Sequence, residues 1–299
     1  MGYRNVRVIA WVLAMCSAVT FLLAASGRAQ NARATPRSTL GARKPKLPTT
    51  DELITSGPKM AVETAADALG MVRGAGAARS TTAVNTVEYT GTGTIAERAA
   101  DGKWKDYKLT KLTAAFDFVL PAARLDMERT APAAARPQHE IEVVSEKRAW
   151  NEERPGINGT PVPDGTDDRA RQIWLTPQGA MWGALRAVES NGVRLANKAG
   201  RLVISYSSNG EPVEVTLGAD LLPERVQIQA HNAKYGDTVF ESIHARYKDY
   251  EGYLFYCPSR MTYKAGDHTI LDLTVSNCVV NPYVIFPTPA NMTTAVTSN

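Results

Sequence analysis

Residues 247–289 read YKDYEGYLFYCPSRMTYKAGDHTILDLTVSNCVVNPYVIFPTP, and their pattern decides the fold. Tyr253, Phe255, Tyr256 and Tyr263 enrich the first half in aromatics; Ile270, Leu271, Leu273 and Val275 enrich the second in branched aliphatics. Both compositions suit a pleated, half-buried surface. A short polar turn at Ala265–His268 separates the halves, so the stretch is predicted to be two long antiparallel strands. Pro282, Pro287 and Pro289 cannot donate to a ladder and end the sheet. With residues 266–269 as the loop, Ala265 lies opposite Ile270, and counting outward sets Cys257 opposite Cys278. Directly opposed side chains lie within disulfide reach. The other reading is two separate buried thiols, and a one-residue slip of register would part them.

Strand signals continue on the N-terminal side. The run Val87–Ile95 carries β-formers, with Gly91 and Gly93 as bulge or bend positions. Trp104–Thr110, Ala114–Leu120, Ala122–Arg129 and Glu140–Trp150 read as further strands; within them Leu125, Met127 and Arg129 alternate with Arg124, Asp126 and Glu128. Arg154–Thr166 is rich in Gly and Pro and reads as an exposed loop. Strands resume at Val193–Lys198, Arg201–Ser207, Val213–Leu217, Leu222–Gln229 and Phe240–Tyr247, with Ser208-Asn209-Gly210 as a hairpin turn. The expectation is a mainly β chain of about ten to twelve antiparallel strands in sequential order, forming a half-open barrel or one strongly curved sheet.

Helices interrupt this pattern twice. Pro58 opens a short one in which Val62, Ala65, Ala66 and Leu69 share a face and which Gly70, Gly74 and Gly76 end. A helical insertion covers about 167–190: Asp167 caps a first helix, and Thr176-Pro177 caps a second. Ile173 and Trp174 lie on one face of the first; Met181, Trp182 and Leu185 align on the second. These helices are expected to cover the concave side of the sheet.

The N-terminus reads as a targeting segment. Arg4 and Arg7 precede an apolar run from Val8 to Ala25 and small residues at 24–29, so residues 1–29 are expected to be a secretory signal cleaved after Ala29. An uncleaved anchor fits the same run, and Leu13-Ala14-Met15-Cys16 is close to a lipobox except for the bulky Met15. Residues 30–50 are basic, proline-rich and free of acids, a disordered linker able to touch anionic lipid headgroups, and the β domain is expected over 51–299. The first 50 residues hold eight basic and no acidic side chains, so removing them turns the whole-chain charge of +4 into −4. The folded part therefore lacks the basic excess that nucleic acid demands.

Motifs for chemistry are absent. His139, His231, His244 and His268 are not at metal-ligand spacing, and no nucleophile elbow, phosphate loop or dinucleotide fingerprint occurs. No cofactor or metal is expected, and the chain is read as non-catalytic; acid pairs such as Glu152–Glu153 and Asp167–Asp168 leave a carboxylate hydrolase as a lesser alternative. What stands out is apolar. Trp150, Ile173, Trp174, Met181, Trp182, Leu185 and Phe255 are the candidate lining of a pocket between sheet and helices, fit for an acyl chain. The competing reading is a filled barrel in a structural or interaction protein.

Several stretches resemble the outer-membrane lipoprotein carrier family, the LolA/LolB-like fold. They are Ala68-Leu69-Gly70 at the end of the first helix, Leu175-Thr176-Pro177-Gln178-Gly179 leading into the last one, and the closing pieces Tyr247-Lys248-Asp249-Tyr250, Gly252, Phe255, Asn281, Phe286 and Pro287. The likeness runs over roughly 55–289, while the helical insertion and the long linker are additions to the carrier pattern. It implies a half-open barrel closed by helices, an apolar cavity for acyl chains, a lipid or envelope-protein partner, and a location in the periplasm of a Gram-negative-type bacterium.

Overall fold

Thirteen strands form one antiparallel sheet in the order β6-β5-β4-β3-β2-β1-β13-β12-β11-β10-β9-β8-β7. The computed structural model describes residues 46–72, 84–99, 101–132, 136–232, 234–252 and 254–293. The expected signal segment with Cys16, the linker up to residue 45, and Gly74 and Gly76 lie outside the described residues. The first half of the sheet is β1 (Thr86–Arg98), β2 (Trp104–Asp117), β3 (Ala122–Thr130), β4 (Gln138–Ser145), β5 (Arg148–Arg154) and β6 (Ile157–Pro161). The second is β7 (Arg194–Lys198), β8 (Arg201–Ser208), β9 (Glu211–Leu217), β10 (Pro223–Asn232), β11 (Gly236–Asp249), β12 (Tyr256–Ala265) and β13 (His268–Val280). Helices α1 (Thr50–Ser56) and α2 (Pro58–Ala68) precede the sheet, α3 (Thr166–Leu175) and α4 (Pro177–Glu189) divide it, and α5 (Ala290–Thr293) follows it.

The chain starts in the middle of the sheet at β1 and walks outward to the edge strand β6. It then crosses by α3 and α4 to the opposite edge, β7, and walks back until β13 pairs with β1. The helical pair is thus the link between the two edges. Helix α3 touches both β3 and β10, which are six places apart in the sheet. Laid flat, six strand spacings would measure about 29 Å, and a helix is only about 10 Å across. The sheet must therefore curl around α3, with α3 and α4 on the concave side and the barrel left open.

The terminal hairpin reaches the expected disulfide by an unexpected route. Its turn has two residues, Gly266 and Asp267, because Ala265 pairs with His268 rather than Ile270. Two irregularities in β13 then restore the count. Lys264 pairs with Thr269 but Tyr263 with Leu271, so Ile270 is an extra residue. Against β1, Gly91 pairs with Val275 but Thr90 with Asn277, so Ser276 is another. Each bulge advances β13 by one residue, and Cys278 arrives beside Cys257, with Cα atoms 6.4 Å apart and the sulfurs bonded.

Other boundaries differ for local reasons. The stretches Trp104–Thr110 and Ala114–Leu120 are one strand, β2, that carries a register shift between Leu109 and Lys111. Glu140–Trp150 is a hairpin, turning at Glu146 and Lys147, both in the left-handed region with φ of 49° and 61°. Neither is glycine, which is why the sequence does not mark the turn. The supposed loop 154–166 contains β6 and a 3-10 turn at Pro163–Gly165, and Gly165, not Asp167, precedes α3. At the start of α4 the Thr176 hydroxyl accepts from the Gly179 N–H, as its Thr-Pro pair implies.

Candidate functional site

Helix α3 lies across the hollow like a strap, and its polar residues fasten it to both flanks. Arg169 and Arg171 are two apart, so they leave the helix in different directions. Arg169 donates to the carbonyls of Val143 (3.2 Å) and Trp150 (2.7 Å), to Asn151 Oδ1 and to Glu142 Oε1. That fixes the strap to β4 and β5. Arg171 turns the other way, to Glu211 on β9 (2.8 Å), and stacks over the Phe240 ring. Asp168 bridges Arg171 and Asn232 of β10. At the C-terminal end, His244 Nε2 sits 3.1 Å from the Leu175 carbonyl and 2.7 Å from Ser242 Oγ. Burial pushes this imidazole down to a pKa of about 4.

Helix α4 is seated by the Thr-Pro-Gln-Gly run. Gln178 is fully buried; Tyr89 of β1 donates to its Oε1, and its Nε2 donates to the Tyr256 carbonyl on β12. A Cβ on Gly179 would stand 1.9 Å from the Ile173 carbonyl, so the sharp corner between the two helices requires glycine. The corner at Gly70 is similar: φ is +84°, and the Leu254 carbonyl approaches to 2.3 Å of where a Cβ would be.

Between α3 and the sheet lies a cavity of about 380 Å³. Its floor is aliphatic: Leu109, Leu112, Leu125, Met127, Ile270 and Leu271. Its lining is also polar, with Asp164, Asp168, Arg169 and Gln172 from α3 and the turn before it, Glu97 and Glu142 from the sheet, and Lys234 and Tyr235 from the turn after β10. Arg129 holds Glu97 at 2.5 Å and Glu140 at 2.7 Å. Burial raises the Glu142 carboxyl pKa above its ordinary value, and Arg169 opposes that shift. Tyr235, chiefly through burial, is pushed up to about 12. Trp104 stacks between Tyr235 (5.8 Å) and His268 (3.6 Å) at the same end of the sheet. A second, larger groove of about 1080 Å³ is walled by α3, α4 and the turns at 145–147 and 207–209.

Of the seven residues expected to line a pocket, the structure brings only Trp174 to either hollow, and it faces the larger groove. Ile173, Met181 and Phe255 are packed into the main core. Trp182 and Leu185 lean on that core half-buried, with Trp182 donating to the Val84 carbonyl. Trp150 is on the other side of the sheet. Glu142 and Val144 of β4 face the concave side, so Ile141 and Val143 face outward, and Trp150 pairs with Val143. It packs with Ile141, Val143, Phe286 and Met292 instead.

The residues that build the cavity were visible only in part. The alternation of Leu125 and Met127 with charged neighbours is legible, and both line the cavity because residues two apart share one face of a strand. Arg169 and Arg171 are conspicuous charges in a helix with a buried face, yet their partners come from strands far away in sequence. Among the described residues no group of His, Cys, Asp and Glu has metal-binding geometry, and no helix is long and apolar enough to cross a membrane.

No family model and no curated protein matches this chain. Among solved structures, the crystal structure of a LolA superfamily protein from Nitrosomonas europaea aligns with 75% of this chain and 94% of its own, at 9% identity and a TM-score of 0.42. Likeness at that level assigns neither a site nor an activity.

Proposed function

We propose that this protein is an exported, non-catalytic binding module of the cell envelope that shelters an acyl or alkyl chain between its curved sheet and α3. The carrying observation is the cavity with its continuous aliphatic floor. Its volume lies at the lower end of the range of about 300–1,000 Å³ common for small-molecule sites, which suits one chain better than several. Burial of a methylene contributes about 0.8 kcal/mol, so eight carbons gain roughly 6 kcal/mol before the cost of association. The disulfide supports an oxidising compartment such as the periplasm, reached through a signal at 1–29. Envelope proteins and, through the basic linker at 30–50, anionic lipid surfaces are the partners this reading implies. A hydrolytic role gains little from the acids of the cavity, because Glu97, Glu142 and Asp168 are each tied to an arginine.

Native mass spectrometry of protein purified from membrane-containing cells is expected to show a co-purified lipid or fatty acid. Quenching of tryptophan emission by acyl probes should be saturable. Leu125→Trp, which fills the cavity without adding a charge, is expected to abolish that saturation, whereas Trp174→Ala in the larger groove leaves it intact. An empty protein that no acyl probe quenches would overturn the reading.

A further inference from the structure

Helix α3 has a hollow on each side. Asp168, Arg169 and Gln172 border the cavity, whereas Asp167, Ala170 and Trp174 border the larger groove of about 1080 Å³. The base of the groove is apolar, with Val144 of β4, Ala170 and Trp174 of α3, Ala187 of α4 and Tyr206 of β8. One donor in that base has no partner. A buried indole N–H usually finds an acceptor: Trp150 donates to Glu152 (2.9 Å), and Trp182 to the Val84 carbonyl (2.6 Å). Trp174 is only 7% exposed, yet its N–H meets no acceptor among the described residues. It is not sealed off either. Among the described residues, the side-chain atoms both unpaired and cut off from solvent are Arg129 Nε, Gln172 Oε1, His244 Nδ1 and His268 Nε2. The Trp174 donor is therefore open to the groove that the residue lines.

The rim sets the sign of charge. Lys147, on the turn between β4 and β5, makes no ion pair among the described residues. Arg186 of α4 directs its contacts to the Phe118 and Val119 carbonyls and the Trp182 ring, not to an acid. Of the two acids in the lining, Glu146 is held by Arg148 at 2.9 Å. Asp167 lies in the first turn of α3, where the helix dipole favours it, about 10 Å along the axis from Trp174. The lining thus combines an unpaired donor with two cations that no carboxylate neutralises. An acceptor carrying negative charge fits that combination.

We infer that the groove binds an organic carboxylate with an apolar body, the carboxylate accepting from the Trp174 N–H and the body resting on Val144, Ala170 and Ala187. Lys147 and Arg186 supply the positive potential that such an anion meets on entry. The volume is at the upper end of the range of about 300–1,000 Å³ common for small-molecule sites, so the body can be wider than a single alkyl chain. This site is separate from the cavity and does not depend on the chain-binding function proposed above.

Isothermal titration with naphthylacetate, its methyl ester and naphthylethylamine at about pH 7 tests the charge with the ring system held constant. The carboxylate is expected to bind about tenfold tighter than the ester, with the amine weakest. Its affinity should be the same in the wild-type protein and in Leu125→Trp, whose cavity is filled. Trp174→Phe keeps an aromatic ring and deletes the N–H, and should weaken the carboxylate about tenfold. Lys147→Asn suits the left-handed backbone of this exposed turn residue, with φ of 61°, and should weaken it about threefold. It decides the matter if Trp174→Phe melts early. Equal binding of acid and ester, or tighter binding of the amine, would overturn the assignment of charge. Carboxylate binding that survives both substitutions, or is lost in Leu125→Trp, would overturn the placement. If none of the three binds, the groove is not a site.

Discussion

The two faces of the sheet are covered in opposite ways. On the concave side, α3 is held at its rims by buried arginines and bridges a floor of aliphatic side chains, leaving a cavity beneath. On the convex side, the C-terminal tail lies directly on Ile141, Val143 and Trp150, with Phe286 and Met292 filling the contact. Arg124 donates to the Ile285 carbonyl there, and Asn291 exchanges two hydrogen bonds with the backbone of Gly159 on the edge strand β6. A cover tied through long polar side chains at its margins can stand off from the surface below it. A cover made of apolar side chains touching that surface leaves no room. The first arrangement suits a site; the second suits a seal, and it also protects an exposed edge strand.

The comparison breaks most readily at its two large anchors. Arg169→Met removes four hydrogen bonds and leaves Glu142 without its partner. It should cost about 3–5 kcal/mol in urea unfolding and also lose acyl-probe binding. Trp150→Ala should cost a similar amount, about 3–5 kcal/mol for a buried aromatic, while probe binding survives. If Trp150→Ala abolished binding, or Arg169→Met left both properties intact, the division of labour between the faces would be wrong.

A titration sharpens the strap further. His244 holds the end of α3 with an imidazole whose pKa is lowered from 6.5 to about 4 by burial. The unfolded chain therefore binds a proton that the folded chain refuses, and this contribution to stability is complete above pH 6.5 and lost as pH falls toward 4. The loss amounts to about 3 kcal/mol. Carboxylates titrate in the same range, so the measure is the stability difference between wild type and His244→Gln, which should shrink by that amount across the window. A difference independent of pH would mean that His244 is not held neutral. The smallest effect belongs to the tail: Asn291→Ala, losing its pair with Gly159, should cost about 1 kcal/mol. Proteolysis should then release the C-terminus earlier, with no change in probe binding.

Much of this architecture was readable in advance. The Ser208-Asn209-Gly210 turn, the Thr176-Pro177 cap and the alternation along β12 and β13 are local signals, and the elements they mark are present. The reading failed where the decisive interaction was not local. Trp150 looked like a cavity residue because tryptophan is large and apolar. The strand Glu140–Trp150 is in fact a hairpin, and its pairing turns Trp150 outward with Val143. The disulfide was anticipated from a register that the hairpin does not use; the bulges at Ile270 and Ser276 together made good the difference.

By itself, the sequence determined the mainly β character and the places of the helices, because strand period, caps and turn residues act within a few positions of one another; the bond between Cys257 and Cys278 depended on two bulges that no local signal marks. Only the tertiary structure decided which apolar residues plug the core and which border a void. That choice depends on how α3 is seated: Ile173 and Leu175 pack into the core, while Arg169 and Arg171 reach strands on opposite flanks, contacts no local pattern encodes.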